Sequence, residues 1–122
     1  MRLLSSLLAG LILMPVAASA QSQTSVTFTK DVAPILQRSC VACHRPGEMA
    51  PMSLMTYEDV RPWARAIKTR TSAREMPPWF VEKNIGIQGF KQDPSLSDAE
   101  IAMIAKWVDS GAARGNAADM PR

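Results

Sequence analysis

The chain has 122 residues, of which 47% are hydrophobic and 20% are charged, so it is long enough for one small domain only. Its single histidine excludes a site that needs two imidazoles from this chain, and its two cysteines exclude a disulfide-dense scaffold. The formal net charge of +3 is too small to indicate nucleic-acid binding, and we expect no nucleic-acid partner.

Residues 1–20 are predicted to be a cleaved export signal. Arg2 provides a basic start, residues 3–16 form an apolar stretch, and the small residues Ala18-Ser19-Ala20 form a cleavage site. The stretch is shorter than the roughly 20 apolar residues that cross a bilayer. We expect a mature domain of residues 21–122 in the periplasm or otherwise exported, without stable membrane insertion. An uncleaved anchor or a lipid anchor is the alternative.

A first helix is predicted to begin within residues 29–31. Val32, Ile35 and Leu36 follow at the i, i+3, i+4 spacing of one helix face. Pro34 favours the later start, because proline is tolerated in the first turn of a helix and is costly deeper inside it.

The string Cys40-Val41-Ala42-Cys43-His44 uses both cysteines and the only histidine. C-x-x-C-H is the pattern of covalent c-type haem attachment. On a helical turn Cys40 and Cys43 project to the same side, where their thiols can meet the two vinyl groups of a haem, and His44 is aimed at the iron. A local disulfide, a thioredoxin-like dithiol and half of a zinc site are the alternatives. The dithiol needs a strand–helix–strand setting and zinc needs four ligands, so we predict one covalent haem c.

A second helical region is predicted over residues 57–71. Pro62 lies near the start of its main helix, because proline is favoured at the first helical position. Trp63, Ala66 and Ile67 are expected to form the apolar face of that helix.

The last helix has the clearest pattern. Ser97-Asp98-Ala99-Glu100 is a capping box, and Gly111 provides the C-terminal stop. Residues 85–94 are predicted to be a surface loop, and residues 115–122 a loose tail. The apolar positions of the helix follow at helical spacing: Ile101, Ile104, Ala105 and Val108.

Together these parts resemble a small monohaem cytochrome c of class I, over a core of about 28–111. The resemblance is carried by the helix that leads into Cys40-Val41-Ala42-Cys43-His44, by Met76-Pro77, and by a last helix that contains Trp107 and ends at Gly111. It implies an all-α domain that encloses one covalently bound haem. It also implies that Trp107 packs where the first and last helices cross.

Met76 is predicted to be the second axial ligand of the iron. Met76-Pro77-Pro78 resembles the Met-Pro ligand loop of the family, and its two prolines stiffen the segment. Met49 is kept as an alternative ligand. The remaining methionines are less suitable, because they lie too soon after His44, within the last helix or in the tail: Met52, Met55, Met103 and Met120.

The imidazole of His44 needs a partner for its other nitrogen. In the family a proline shortly after the histidine offers its carbonyl, and Pro46 and Pro51 both qualify here. Pro51 is favoured because it leaves enough chain to turn back, although both can be ordinary loop prolines. Trp79 is expected to line the haem or to donate to a haem propionate.

Five basic residues precede the predicted ligand loop, and Arg61, Arg65 and Lys68 share one helix face, with Arg70 and Arg74 beyond it. A basic rim near the haem favours an acidic redox partner, although a solvated helix face explains it equally. The resemblance implies an exported electron carrier, not an enzyme, that moves single electrons between redox proteins. A haem subunit of a larger oxidoreductase, and a haem enzyme or gas-binding protein with a labile sixth ligand, are the alternatives.

Overall fold

Helices form all the regular secondary structure that the computed structural model describes, over residues 25–82, 85–86 and 89–122. The all-α expectation is therefore confirmed for this part of the chain. No helix within it combines the length and the apolar character that crossing a bilayer requires. The predicted export signal, residues 1–20, lies outside the described residues.

The first helical segment joins a π-helical turn, Phe28–Val32, to an α-helix, α1, Ala33–Ser39. Hydrogen bonds that span five residues widen the π turn. In a regular α-helix the ring of Pro34 would clash with the carbonyl four residues before it, and the wider turn relieves this conflict. The segment therefore begins at Phe28, ahead of the predicted range 29–31.

The second helical region consists of three short pieces. Tyr57–Val60 forms α2, and a capping box between Thr56 and Asp59 closes its N-terminus. A proline-containing 3₁₀ turn, Arg61–Trp63, leads into α3, Ala64–Ser72. Pro62 thus lies just before the main helix, near its start as predicted, whereas the capping box of α2 was not predicted.

The buried face of α3 differs from the predicted one. Of Trp63, Ala66 and Ile67, only Ile67 is buried. The buried positions of α3 are Ala64, Ile67 and Thr71, and this helix packs against the last helix. Because the 3₁₀ turn advances the chain by a different rotation per residue, it shifts the face that the following helix presents to the core.

The last helix, α4, is Asp98–Asp109 and begins at the predicted capping box. The N–H of Glu100 donates to Ser97 Oγ at 3.3 Å, and the N–H of Ser97 donates to the Glu100 carboxylate at 2.9 Å. Gly111 follows the helix with φ +99°, a left-handed conformation that glycine adopts without strain. The start and the stop of α4 are therefore as predicted.

Trp107 lies at the centre of the core and is fully buried. Its ring lies 6.1 Å from that of Phe28, which in turn lies 5.6 Å from the ring of Tyr57. The indole N–H of Trp107 donates to the carbonyl of Ala113 at 2.9 Å, so its polar atom is satisfied. The three rings join the first helical segment, α2 and α4, which is the position expected for Trp107.

An ion pair joins α1 to the start of α4. Nη1 of Arg38 lies 2.6 Å from Oε1 of Glu100. The hydrogen bond from Arg38 lowers the pKa of Glu100 from 4.5 to about 2, and the bonds from Ser97 act in the same direction against burial. Glu100 thus closes the N-terminus of α4 and holds α1 with the same carboxylate.

Replacing Glu100 by glutamine keeps a side chain that can complete the capping box and removes the charge that Arg38 stabilises. We expect Glu100→Gln to lower the free energy of unfolding at neutral pH by about 1 kcal/mol, since Arg38 is half-exposed and screened. The folded-state pKa of Glu100 is lowered, so this advantage of the wild type is complete above pH 4.5 and is lost as the pH falls toward 2. Urea unfolding across this pH range measures it, and a pH-independent difference would contradict the assignment.

Candidate functional site

The string Cys40-Val41-Ala42-Cys43-His44 forms a turn that continues directly from α1. The N–H of Cys43 donates to the carbonyl of Cys40 at 3.1 Å, and the N–H of His44 donates to the same carbonyl at 2.9 Å. The side chain of Cys40 packs against the core, and Cys43 is exposed. One helical turn therefore carries both sulfurs and the imidazole, and both thiols are free.

Burial raises the pKa of the Cys40 thiol to about 11, and the nearby Arg38 opposes this only in part. The sulfur therefore stays protonated at neutral pH. Redox-active C-x-x-C sites depend on a thiolate with a lowered pKa, so the environment of Cys40 disfavours the dithiol alternative.

His44 is oriented by a backbone carbonyl. Its Nδ1 lies 3.2 Å from the carbonyl oxygen of Met52. Since a carbonyl can only accept, Nδ1 carries the proton and Nε2 keeps the lone pair that a metal ion can use. The expected acceptors were Pro46 and Pro51, and both are wrong.

The correct acceptor, Met52, follows from how the loop after the motif turns back. The N–H of Leu54 donates to the carbonyl of His44 at 2.9 Å, and the N–H of Ala50 donates to the carbonyl of Cys43 at 3.3 Å. These two bonds close residues 43–54 on themselves and bring the Met52 carbonyl to the ring. A proline at position 51 signals the turn, but the acceptor is the residue after it.

The chain leaves α3 through a left-handed turn at Arg74, where φ is +56°. The N–H of Glu75 donates to the carbonyl of Arg70 at 2.9 Å, and the N–H of Arg74 donates to that of Thr71 at 3.0 Å. This pair of bonds is the Schellman motif, which glycine favours because the left-handed region costs other residues roughly 1–2 kcal/mol. Other interactions of Arg74 must therefore offset the cost of its left-handed conformation.

The side chain of Arg74 makes these stabilising interactions. Its Nη1 donates to the carbonyl of Leu96 at 3.3 Å, and its Nη2 forms an ion pair with Asp98. Both partners lie at the N-terminal end of α4. Arg74 therefore ties the exit from α3 to the entrance of α4.

Met76 follows this turn and lies on the surface of a cleft. Its side chain is 43% exposed, its N–H donates to the carbonyl of Arg70 at 3.3 Å, and the Met76–Pro77 peptide bond is cis. The cleft has a volume of about 570 Å³, within the range of small-molecule and cofactor sites. Its apolar lining includes Met76, Trp79, Phe80, Leu96 and Ile101.

Cys40, Cys43 and His44 do not line this cleft, so the structure does not bring them into one cavity with Met76. The two regions are joined through residues 95–100. Arg38, two residues before Cys40, pairs with Glu100, and Arg74, two residues before Met76, pairs with Asp98. One short segment of chain therefore holds both regions in place.

The segment after Met76 exposes apolar side chains and buries a polar atom. Phe80 is 83% exposed and Ile85 is 72% exposed. The Trp79 ring makes an edge contact with Phe90, with the centroids 6.0 Å apart. Its indole Nε1 is buried and has no hydrogen-bond partner among the residues that the structure describes. An unsatisfied buried N–H costs about 1–3 kcal/mol, so an acceptor at this atom would be stabilising.

Met49, the alternative ligand, is 87% exposed and lies in the loop after His44. Three of the five basic residues predicted to form a rim are paired with carboxylates: Lys68 with Asp109, Arg70 with Glu75, and Arg74 with Asp98. These pairs reduce the positive field that the five residues would create.

Within the described part of the chain, no three or more His, Cys, Asp and Glu side chains group so as to hold a metal ion. No protein-family model, curated protein or solved structure matches this chain.

Proposed function

We propose that this chain is an exported electron carrier that binds one haem covalently through Cys40 and Cys43, with His44 and Met76 as the axial ligands. The observation that carries the proposal is the turn after α1. It places two free thiols and one imidazole within five residues, with Nδ1 of His44 hydrogen-bonded to the Met52 carbonyl and Nε2 available. Both cysteines and the histidine each have a role in this assignment.

The chemistry of the side chains fits a haem. Each thiol can add across one vinyl group, with sulfur bonding to one carbon and hydrogen to the other, so attachment needs thiols and not a disulfide. The exposed apolar residues Phe80 and Ile85 and the cleft beside Met76 offer apolar surface to a porphyrin. The N–H of Trp79, which has no acceptor among the described residues, offers a donor to a propionate. When bound, the haem supplies an iron that changes oxidation state by one electron.

The axial residues determine what the iron can do. Thioether ligation by Met76 raises the reduction potential relative to a second nitrogen ligand. His44 and Met76 would together hold the iron and leave no coordination position for a substrate, which favours electron transfer over catalysis. We further propose that redox proteins are the partners and that exposed Arg61 and Arg65 favour an acidic one.

Covalent attachment is tested by producing the full chain in a host that matures c-type cytochromes. We expect the denatured protein to keep its haem stain and to show the mass of residues 21–122 plus one haem. Replacing both cysteines, Cys40→Ser with Cys43→Ser, should abolish the stain. Ala42→Ser, which leaves C-x-x-C-H intact, is the matched control and should keep it. Wild-type protein without haem stain would overturn the proposal.

The identity of the second axial ligand is tested on the haem-loaded protein. Met76→Ala should abolish the methionine–iron charge-transfer band and open the reduced iron to carbon monoxide. Met49→Leu should leave the band unchanged, and its loss in that variant alone would assign the ligand to Met49 instead. Rapid carbon monoxide binding by the wild type would contradict a filled sixth position and support a gas-binding or peroxidase-like role.

The role of Trp79 is tested by Trp79→Phe, which keeps an aromatic ring and removes the N–H. We expect the reduction potential of the haem-loaded protein to fall, because a propionate that loses its donor keeps more negative charge and stabilises the oxidised iron. Trp63→Phe is the control, since Trp63 is half-exposed and lies in the turn before α3. Potentials measured by redox titration compare the two, and an unchanged value in Trp79→Phe would contradict a propionate contact.

A further inference from the structure

Arg74 occupies a backbone position that favours glycine and uses its side chain to reach another helix. The left-handed φ of +56° and the two Schellman bonds place it at the end of α3. The Leu96 carbonyl and Asp98 accept from its guanidinium at the start of α4. A glycine would end α3 with less strain but would leave α3 and α4 untied at this point.

The tie lies next to the predicted ligand. Met76 is two residues beyond Arg74, and its N–H shares the carbonyl of Arg70 with that of Glu75. The other ion pair on residues 95–100, between Arg38 and Glu100, lies two residues before Cys40. The two regions that supply the axial ligands are thus fastened to a common segment.

We propose that Arg74 is a positioning residue that keeps the Met76 sulfur on the iron by tying the turn after α3 to α4. This inference rests on the proposed function. Without the tie, the turn can move away from α4 and take Met76 with it, so an external ligand can displace the thioether more easily. Arg74 also lines the cleft beside Met76, and the role proposed for it here is to hold the turn, not to bind the iron.

The test is the displacement of methionine by imidazole in the oxidised, haem-loaded full chain. Loss of the charge-transfer band measures the displacement. We expect Arg74→Gly to keep the band and to bind imidazole about fivefold more tightly, the size appropriate to an exposed ion pair with one added hydrogen bond. Arg74→Lys, which keeps one donor for Asp98, should fall between Arg74→Gly and the wild type.

Three controls separate positioning from charge, strain and folding. Arg70→Gln removes a nearby positive charge that pairs with Glu75 and not with α4, and it should leave imidazole binding unchanged. Gln92 has the same left-handed φ as Arg74 but takes no part in the tie. Gln92→Gly relieves backbone strain of the same kind and should also leave imidazole binding unchanged. Asp98→Asn removes the carboxylate that pairs with Arg74, at an exposed position where the substitution does not disturb packing. It should reproduce part of the Arg74→Gly effect, and it tests the tie independently in case the glycine variant folds poorly.

The outcomes distinguish the two proposals. A wild type without the methionine band overturns His44/Met76 ligation. A wild type with the band, together with Arg74→Gly and Asp98→Asn variants that bind imidazole as the wild type does, overturns the positioning role and leaves the ligation intact. An equal effect in Arg70→Gln also overturns it, because charge alone then accounts for the change.

Discussion

The hydrogen bond between His44 Nδ1 and the Met52 carbonyl is the interaction on which the site depends. It fixes the tautomer and the direction of the only imidazole in the chain, and it exists because residues 43–54 close on themselves through two backbone bonds. An imidazole free to rotate would lose entropy on binding a metal ion. Here folding has already restricted the ring, so binding a metal ion causes little further loss of side-chain entropy.

The start of α4 is the second constraint, because it serves three purposes within six residues. Ser97 and Glu100 cap the helix, Glu100 also holds Arg38 of α1, and Asp98 holds Arg74. Residues that are far apart in sequence thus meet at one helix terminus. The negative side chains there also suit the positive end of the helix dipole, so capping and tying stabilise the same structure.

Local patterns in the sequence predicted local structure. The capping box at Ser97 and Glu100, the stop at Gly111 and the helix leading into Cys40 depend on neighbours within about four residues, and all are present. The Met52 acceptor and the tie from Arg74 were not predicted. The Met52 acceptor depends on how the loop of residues 43–54 closes, and the tie depends on a pair formed by the tertiary fold, Arg74 with Asp98, 24 residues apart, for which no short-range pattern exists. The buried face of α3 differs from the predicted one for a local reason, the 3₁₀ turn that precedes the helix. The sequence does not specify how far this turn rotates the helix.

The distribution of apolar surface supports a haem beside Met76 more than beside the packed helices. Phe28, Leu36, Ile104 and Trp107 are buried together in the core, so these side chains offer no surface to a ligand. By contrast, the segment after Met76 leaves Phe80 and Ile85 exposed and buries the N–H of Trp79 without an acceptor among the described residues. A purely apolar partner would cover Phe80 and Ile85 and leave the N–H of Trp79 unsatisfied. A group with both an apolar face and carboxylates would cover these side chains and accept from the N–H. A porphyrin with propionates has this combination, and in the proposed assignment the two cysteines after α1 would anchor it covalently.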